Sequence, residues 1–387
     1  MRKLKNKLET LCVFRQLRSD PVIAALCAYL EAPTNSTYAG FVAELYSANG
    51  GNISEHIRQL CENSSNVYVT TLGKGGEAPV HIYDSLLSEL DTLQEVAELT
   101  KDRLCSLLEY KGFLPDFANT RMKLQALYLH RAGNIGTYGY GIYAKNRMFH
   151  VDAQDRIVPV HHPDRTELSQ LVGYQRERQI ILDNTKALLA GKPAANILLT
   201  GDAGTGKSST VKAVANALWK EGLRIIEVRK DQLRVIPAIL DELSTNPLKF
   251  VLFIDDLSFR KDDDCFNTLK AVLEGSVTAK SSNVVIYATS NRRHIIQEKF
   301  SDREGDDVHR KDTMQELISL SERFGIHVSF SRPNKETFLH IVHHLAEESG
   351  LDTPEEELDA MAERFALERG GRSPRLARQF IDGLRSR

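Results

Sequence analysis

Over the first 130 residues, apolar side chains recur at the spacing of amphipathic helices. They lie three and four residues apart, and turn-rich stretches such as 49–52 separate one run from the next. Asp20 and Pro21 interrupt the first run, and a new helix should begin there because proline is favoured at the first helical position. The pattern predicts a mainly helical region, with helices over 8–30, 37–47, 53–62, 85–110 and 117–132.

The pattern changes at about residue 168, where short apolar runs begin to alternate with helix-spaced segments. This alternation predicts an α/β domain with a parallel sheet and helices on both of its faces. Strands are expected at 196–200, 224–228, 250–254, 284–289 and 326–330. After residue 333 the helical spacing returns and predicts a small helical subdomain, with helices over 335–349, 354–369 and 373–384.

Two segments of unusual composition lie between these regions. Residues 133–151 alternate glycine with tyrosine and branched residues, which predicts a glycine-rich turn that feeds a short strand or hairpin. A mobile aromatic loop that grips a partner is the alternative. Residues 152–167 are polar and contain two prolines, and they are interpreted as a linker. No metal site is predicted at His161 and His162, since no acidic or cysteine cluster accompanies them at ligand spacing.

Composition narrows the class of protein without naming a function. A chain of 387 residues with 42% hydrophobic and 26% charged residues is long enough for two or three folded domains. The net charge of −2 excludes a generally basic surface, although the first twenty and the last nineteen residues carry an excess of Lys and Arg. No apolar run approaches the roughly 18 residues of a membrane span, and no secretory signal is evident. The five cysteines are odd in number and widely spaced, which is typical of reduced thiols in a cytosolic protein.

The segment 201–208 matches the phosphate-binding pattern G-x-x-x-x-G-K-[ST] at every fixed position. A predicted strand precedes it and a predicted helix begins at Ser209. Glycines let successive backbone N–H groups point at phosphate oxygens, and the helix N-terminus adds partial positive charge. Lys207 is expected to contact the β- and γ-phosphates, and the Ser208 hydroxyl is expected to bind Mg²⁺. The predicted binding residues are Gly201, Asp202, Ala203, Gly204, Thr205, Gly206, Lys207, Ser208 and Ser209.

Polar residues end two further predicted strands, about fifty and ninety residues after this loop. Asp255 and Asp256 follow the apolar run 250–254, and Asn291 follows the run 284–289. The carboxyl ends of parallel strands form the ligand crevice of such sheets. Asp255 is therefore predicted to hold Mg²⁺, Asp256 to orient or deprotonate the attacking water, and Asn291 to bind that water or the γ-phosphate.

Together these motifs resemble the AAA+ superfamily of ATPases, over about residues 168–384. The resemblance makes 201–208 the Walker A motif and 255–256 the Walker B motif, and it makes Asn291 sensor 1. It places Gly173 and Tyr174 near adenine. It also implies that Arg323, in 321–325, is an arginine finger acting on a neighbouring subunit, and that Arg375, in 371–375, is the sensor 2 residue on the lid.

More narrowly, 254–259, 289–294 and 300–303 resemble a bacterial family of single-module AAA+ ATPases of uncharacterised function. That family also has a helical N-terminal region. The Walker B motif here ends in Asp256, where most AAA+ modules have glutamate, so we expect slow or partner-stimulated hydrolysis. Arg303 is a second candidate for the arginine finger. The aromatic-hydrophobic-glycine signature of a threading loop is missing near 230–233, which argues against a processive unfoldase.

The sequence therefore predicts a cytosolic, Mg²⁺-dependent ATP hydrolase of the AAA+ class with three parts. A helical domain for client binding should span 1–165, the α/β nucleotide-binding core 166–331, and the helical lid 332–387. The resemblance implies a homo-oligomer, expected as a hexameric ring, that remodels an unknown protein or nucleoprotein client. The alternatives are a DNA-metabolism accessory of the helicase-loader type and a nucleotide-dependent switch with negligible turnover. No membrane partner is expected, and the sequence does not specify a nucleic-acid contact.

Overall fold

The computed structural model describes residues 2–110, 112–257, 264–274, 282–291 and 322–386. The chain divides into two compact units, 1–145 and 146–387. No helix within these ranges is long and apolar enough to cross a membrane. Because the two units are separate bodies, each is described by itself.

The first unit is built from short helices, as its hydrophobic spacing predicted. In the described residues these are α1 (Arg2–Glu9), α2 (Pro21–Glu31), α3 (Asn35–Asn49), α4 (Ile53–Glu62), α5 (Val67–Gly73), α6 (Val80–Ala97), α7 (Lys101–Cys105), α8 (Leu124–Gly133), α9 (Ile135–Tyr138) and α10 (Ile142–Lys145). Asp20 caps α2 by accepting hydrogen bonds from the N–H groups of Val22 and Ile23, so the helix does begin at Pro21. The predicted helix 85–110 is divided instead, since α6 ends at Ala97 and Thr100 caps the start of α7.

Glu89 on α6 ties the segment that follows α1 to the middle of the helical unit. Its carboxylate accepts backbone hydrogen bonds from Cys12 at 2.8 Å, Val13 at 3.0 Å and Phe14 at 2.8 Å, and the side chain is 8% exposed. Three N–H donors compensate the loss of water around this buried acid. The turn between α1 and α2 is thereby held against α6.

The second unit contains a sheet with helices on it, followed by three helices. Its described elements are β1 (Met148–Val151), β2 (Ile157–Pro159), α11 (Gln175–Leu189), β3 (Ile197–Gly201), α12 (Lys207–Leu218), β4 (Leu223–Glu227), α13 (Ile236–Ser244), β5 (Lys249–Ile254), α14 (Asp264–Glu274), β6 (Val284–Ser290), β7 (Ile326–Phe330), α15 (Lys335–Glu348), α16 (Glu355–Glu368) and α17 (Pro374–Arg385). The sheet order is β2-β1-β4-β5-β6-β3-β7. Every neighbouring pair is parallel except β1 and β2.

The central strands explain why the apolar runs were continuous rather than alternating. On β5 and β6 nearly every residue is buried, because helices cover both faces of the sheet. The last three helices form their own apolar core around Phe338, Ile341 and Phe380. The predicted parallel-sheet core with a C-terminal helical lid, preceded by a mainly helical N-terminal region, is confirmed.

The first strands of the sheet differ from the sequence predictions in three respects. Residues 133–145 form the short helices α9 and α10, and the predicted hairpin lies after them, as β1 and β2. The segment 152–167 is therefore more than a linker, because it contains β2. The two units divide after Lys145, twenty residues before the predicted boundary at 165, since β1 pairs with β4 and joins the second unit.

The hairpin is fastened to the segment after β4. Gln232 is 3% exposed, and its side-chain amide donates to the carbonyls of Val151 at 3.2 Å and Asp152 at 3.0 Å. Residues 230–235 form a short 3₁₀ helix. The segment that follows β4 is thus a turn anchored to the hairpin.

We expect residues 146–387 to fold without the helical unit, whereas a chain starting at 166 should be clearly less stable. The shorter chain lacks the buried side chains of Met148, Phe149 and Val151 and leaves β4 as an open edge. Each such side chain contributes about 1.5–3 kcal/mol when buried. Thermal unfolding followed by circular dichroism should show a midpoint lower by about 10 °C or more. Equal midpoints for the two chains would contradict this role of the hairpin.

Candidate functional site

A cavity of about 740 Å³ lies at the carboxyl ends of the central strands, between the sheet and the lid helices. Its volume is within the usual range of ligand pockets, which is roughly 300–1,000 Å³. It is lined by the loop before α12, the stretch from Leu171 to Tyr174, the ends of β5 and β6 with the residues that follow them, and the facing sides of α15 and α17. The cavity thus brings together residues that lie far apart in the sequence.

The loop between β3 and α12 owes its shape to its glycines. Gly201, Gly204 and Gly206 have φ values of 138°, 80° and 93°, which other residues rarely adopt. At Gly201 a β-carbon would also lie 2.1 Å from the carbonyl oxygen of Phe330 on β7. Helix α12 begins at Lys207, so the N–H groups of its first turn lack partners inside the helix. Backbone N–H groups arranged in this way are suited to binding an anion.

Lys207 is directed into this loop rather than towards solvent. Its ammonium donates to the carbonyls of Gly201 at 2.7 Å and Asp202 at 2.8 Å and to the side-chain oxygen of Asn291 at 3.0 Å. The residue is 5% exposed, and burial lowers the pKa of its amine. Nearby Asp202 and Asp255 oppose that shift of the pKa. The ammonium therefore lies inside this loop, between two of its carbonyls and Asn291.

Ser208 and Asp255 lie side by side at the foot of the loop. The Ser208 hydroxyl donates to Oδ1 of Asp255 at 2.6 Å. A hydroxyl and a carboxylate at the edge of a phosphate-binding loop are the hard oxygen ligands that Mg²⁺ prefers. The donor set therefore fits a magnesium ion, and Ser208 and Asp255 are the residues that would hold it.

Asp256 and Asn291 are paired at the mouth of the site. The Asn291 amide donates to Oδ1 of Asp256 at 2.7 Å. Asp256 has a φ of 53°, in the left-handed region that aspartate and asparagine tolerate better than most residues. Because Asn291 also accepts from Lys207, one amide links the lysine of the loop to the exposed acid.

Sequence reasoning did not identify Thr289, although it singled out the polar end of the same strand. The hydroxyl of Thr289 donates to Oδ1 of Asp255 at 2.5 Å and accepts from the N–H of Asp256 at 2.9 Å. Thr289 is 2% exposed. The sequence did contain a signal for Thr289, which is a hydroxyl residue near the end of a mostly apolar strand. A buried polar group of this kind needs a hydrogen-bond partner.

The lid touches the loop directly through α17. The N–H of Arg375, one of the groups left open at the helix start, donates to the carbonyl of Gly204 at 3.2 Å. Ser373 caps this helix by accepting from the N–H of Leu376 at 3.2 Å. The Arg375 side chain lines the cavity, as its predicted contact with phosphate requires.

Gly173 and Tyr174 lie on the other wall, beside α15. A β-carbon on Gly173 would reach the side chains of Ile341 and Thr337 at 3.7 Å. Tyr174 stacks on Phe330 with ring centroids 5.1 Å apart and donates its hydroxyl to the carbonyl of Ser331 at 2.5 Å. Burial raises the pKa of Tyr174 to about 12. The tyrosine thus fixes the wall in place, and the apolar surface beside it is available for a ring.

Asp202 has a second contact that the sequence did not indicate. Its carboxylate pairs with Arg332 at 3.3 Å, and Arg332 also donates to the carbonyl of Gly370 at 3.3 Å. Arg332 therefore links the loop, the end of β7 and the turn before α17. The remaining predicted loop residues that face the cavity are Ala203, Thr205 and Ser209.

Of the two candidate arginine fingers, the structure describes Arg323. Arg323 lies just before β7, outside the cavity lining, and the next residue, Phe324, is 2% exposed. Arg303 lies outside the described residues. A residue that acts on a neighbouring subunit is expected to lie away from its own site.

Comparison with known proteins gives the family. Residues 144–387, more than half of the chain, match the family model described as "Protein of unknown function (DUF815)". The chain belongs to that family. The start of the match lies beside the division between the two units, so the DUF815 region corresponds to the second unit.

Solved structures of the Thermotoga maritima RuvB Holliday junction branch migration motor are similar to part of the chain. One is 17% identical, covers 57% of this chain and 64% of that chain, and has a TM-score of 0.39. A point mutant of the same motor is 16% identical, covers 57% of this chain and 65% of its own, and has a TM-score of 0.40. The match spans a little under two thirds of those chains. The DUF815 unit itself is a mainly parallel α/β sheet with a P-loop between β3 and α12.

Gly204→Ala should destabilise the nucleotide-free protein more than Gly206→Ala. Both positions have positive φ, so the backbone cost, about 1–2 kcal/mol, is shared. Only at Gly204 would the new β-carbon meet the lid, 3.1 Å from Cβ of Arg375, whereas nothing lies within 4 Å at Gly206. Urea denaturation measures the difference. If both variants lost the same stability, the close approach of lid and loop would not exist.

Proposed function

We propose that this protein is an ATPase that binds Mg-ATP between its α/β core and its lid and hydrolyses it slowly. The observation that carries the proposal is the convergence of Lys207, Ser208, Asp255, Asp256 and Asn291 at one end of the cavity. These side chains come from three segments of the sequence. Each is a type that phosphoryl transfer requires.

The phosphate chain would occupy the loop before α12. Lys207 would exchange its hydrogen bonds to Gly201, Asp202 and Asn291 for bonds to phosphate oxygens. That exchange restores a compensating charge beside a buried ammonium, so the pKa of Lys207 should rise when ATP binds. The apolar wall from Leu171 to Gly173, with Ile341 beside it, would pack against the base.

Ser208 and Asp255 would hold Mg²⁺ in this complex. The bound ion would neutralise negative charge on the phosphate oxygens. Asp256 is exposed, so a water molecule can reach its carboxylate, as a general base requires. In the present conformation one oxygen of Asp256 is engaged by Asn291. Release of Lys207 would leave Asn291 free to turn, so occupation of the phosphate site would adjust the Asp256 carboxylate.

Asp256→Asn should slow ATP hydrolysis by about 100-fold or more, because a positioned general base contributes about 10²–10⁴ in rate. Asparagine tolerates the left-handed backbone at this position as aspartate does, so the fold should be kept. Binding of ATP should persist, whereas Lys207→Ala should abolish it. Phosphate release and calorimetry are the measurements, with Asp241→Asn on α13 as an exposed control.

The same measurements, repeated with single-stranded DNA, distinguish this ATPase function from the two alternative functions. A wild-type protein that binds Mg-ATP but hydrolyses it no faster than Asp256→Asn would be a nucleotide-dependent switch. Hydrolysis that rises on addition of single-stranded DNA would support the helicase-loader type of function. Failure of the wild type to bind ATP would contradict the proposal altogether.

We further propose that the protein works as a ring in which Arg323 completes the site of a neighbouring subunit. The contact between Arg375 and Gly204 supports a lid that responds to the state of the loop. A change of lid angle during turnover would then move a client relative to the core. The client, a protein or nucleoprotein, is proposed to bind the helical N-terminal unit.

Arg323→Ala should lower hydrolysis by about 10³-fold or more with little change in ATP affinity, as arginine fingers do. The two inactive variants, Arg323→Ala and Asp256→Asn, should regain activity when mixed. A site with intact Asp256 can then receive Arg323 from its neighbour. The double variant mixed with either single variant is the matched control.

Light scattering with ATP should show an assembly, expected as a hexamer. A monomer at micromolar protein concentration, or mixtures without any recovered activity, would contradict action between subunits.

A further inference from the structure

The buried hydroxyl of Thr289 lies between the two acids of the site. Thr289 is on β6, and its neighbours Asp255 and Asp256 follow β5, the adjacent strand. Thr289 lines the cavity but is only 2% exposed, and its hydroxyl forms hydrogen bonds to protein groups. It makes two, and both go to the acid pair.

The hydroxyl is the donor in one of these hydrogen bonds and the acceptor in the other. The hydroxyl donates to Oδ1 of Asp255 at 2.5 Å and accepts from the backbone N–H of Asp256 at 2.9 Å. Among side chains of this size, serine and threonine hydroxyls both donate and accept through one atom, and a cysteine thiol does so only weakly. Thr289 therefore orients a carboxylate and a backbone bend at the same time.

The main chain of Thr289 holds the same segment at a third point. Its carbonyl accepts from the N–H of Leu257 at 2.7 Å. Residues 255–257 are thus tied to one residue of β6 along their length. Because the middle residue, Asp256, has a φ of 53°, this attachment supports a backbone conformation that costs free energy in isolation.

We propose that Thr289 is a positioning residue that orients the Asp255 carboxylate for Mg²⁺ and sets the bend at Asp256. The proposal rests on the proposed function of the site. Because Thr289 has no charged group, it would act on a bound ligand only through the two acids. Loss of its hydroxyl would free Asp255 to rotate away from Ser208, and it would remove the nearer of the two acceptors of the Asp256 N–H, the other being Oδ1 of Asp255 itself.

Thr289→Val tests this because valine has the same shape and no hydroxyl. The readout is calorimetric binding of a non-hydrolysable ATP analogue to the full chain, in Mg²⁺ and in EDTA. In the wild type Mg²⁺ should tighten binding. In Thr289→Val this gain should shrink by about 10- to 100-fold, the usual loss when a partner of a metal ligand is removed, while affinity in EDTA stays unchanged.

Two further variants separate positioning from packing. Thr289→Ser keeps the hydroxyl and should keep the Mg²⁺ gain. Thr185→Val is the matched control, since Thr185 is also fully buried and its hydroxyl bonds to Tyr287, two residues earlier on the same strand, but not to Asp255. It too should keep the gain. If Thr289→Val does not fold, Thr289→Cys replaces it and should show a smaller Mg²⁺ gain than Thr289→Ser, since a thiol is a weak donor and acceptor.

The outcomes are distinct. A full Mg²⁺ gain in Thr289→Val, or an equal loss in Thr289→Ser or in Thr185→Val, would overturn the positioning role while leaving the proposed function intact. A replacement Thr289→Cys that keeps the full gain would overturn it as well. Absence of any Mg²⁺ gain in the wild type would instead refute the proposed metal site, and with it this inference.

Discussion

The side-chain oxygen Oδ1 of Asp255 receives hydrogen bonds from three separate parts of the chain. The Ser208 hydroxyl comes from the phosphate-binding loop, the Thr289 hydroxyl from the neighbouring strand, and the Asp256 N–H from the next residue. A charged acceptor holds such donors more strongly than a neutral one. The loop, β5 and β6 therefore meet at one atom. The rest of the site is arranged around this point.

The sheet order makes that meeting possible. β6 lies between β3, which leads into the loop, and β5, which ends at the acids. All three strands are parallel, so their carboxyl ends share one edge. Burial of nearly every residue of β5 and β6 keeps this edge rigid. The polar residues at the strand ends are then held in place by an apolar scaffold, because a shift in register would disrupt the packing of the buried side chains.

The lid and the loop are joined by few but specific contacts. Arg375 donates its backbone N–H to Gly204, and Arg332 bridges Asp202 and Gly370. Both contacts involve helix or turn groups that would otherwise face water. Exposed contacts of this kind are individually weak, so a ligand in the loop can change them at small cost. An interface that is easily altered suits a lid that moves during turnover.

The sequence by itself determined the class of fold and the chemistry of the site, because glycine spacing, apolar strand runs and terminal acids depend only on local order along the chain. The P-loop, Asp255, Asp256 and Asn291 were identified in this way. Only the tertiary structure decided what lies between them. Thr289 and Arg332 act through neighbours 34 and 130 positions away in sequence, Asp255 and Asp202. Likewise β1 joins the second unit because it pairs with β4, and no local pattern specifies which strands pair.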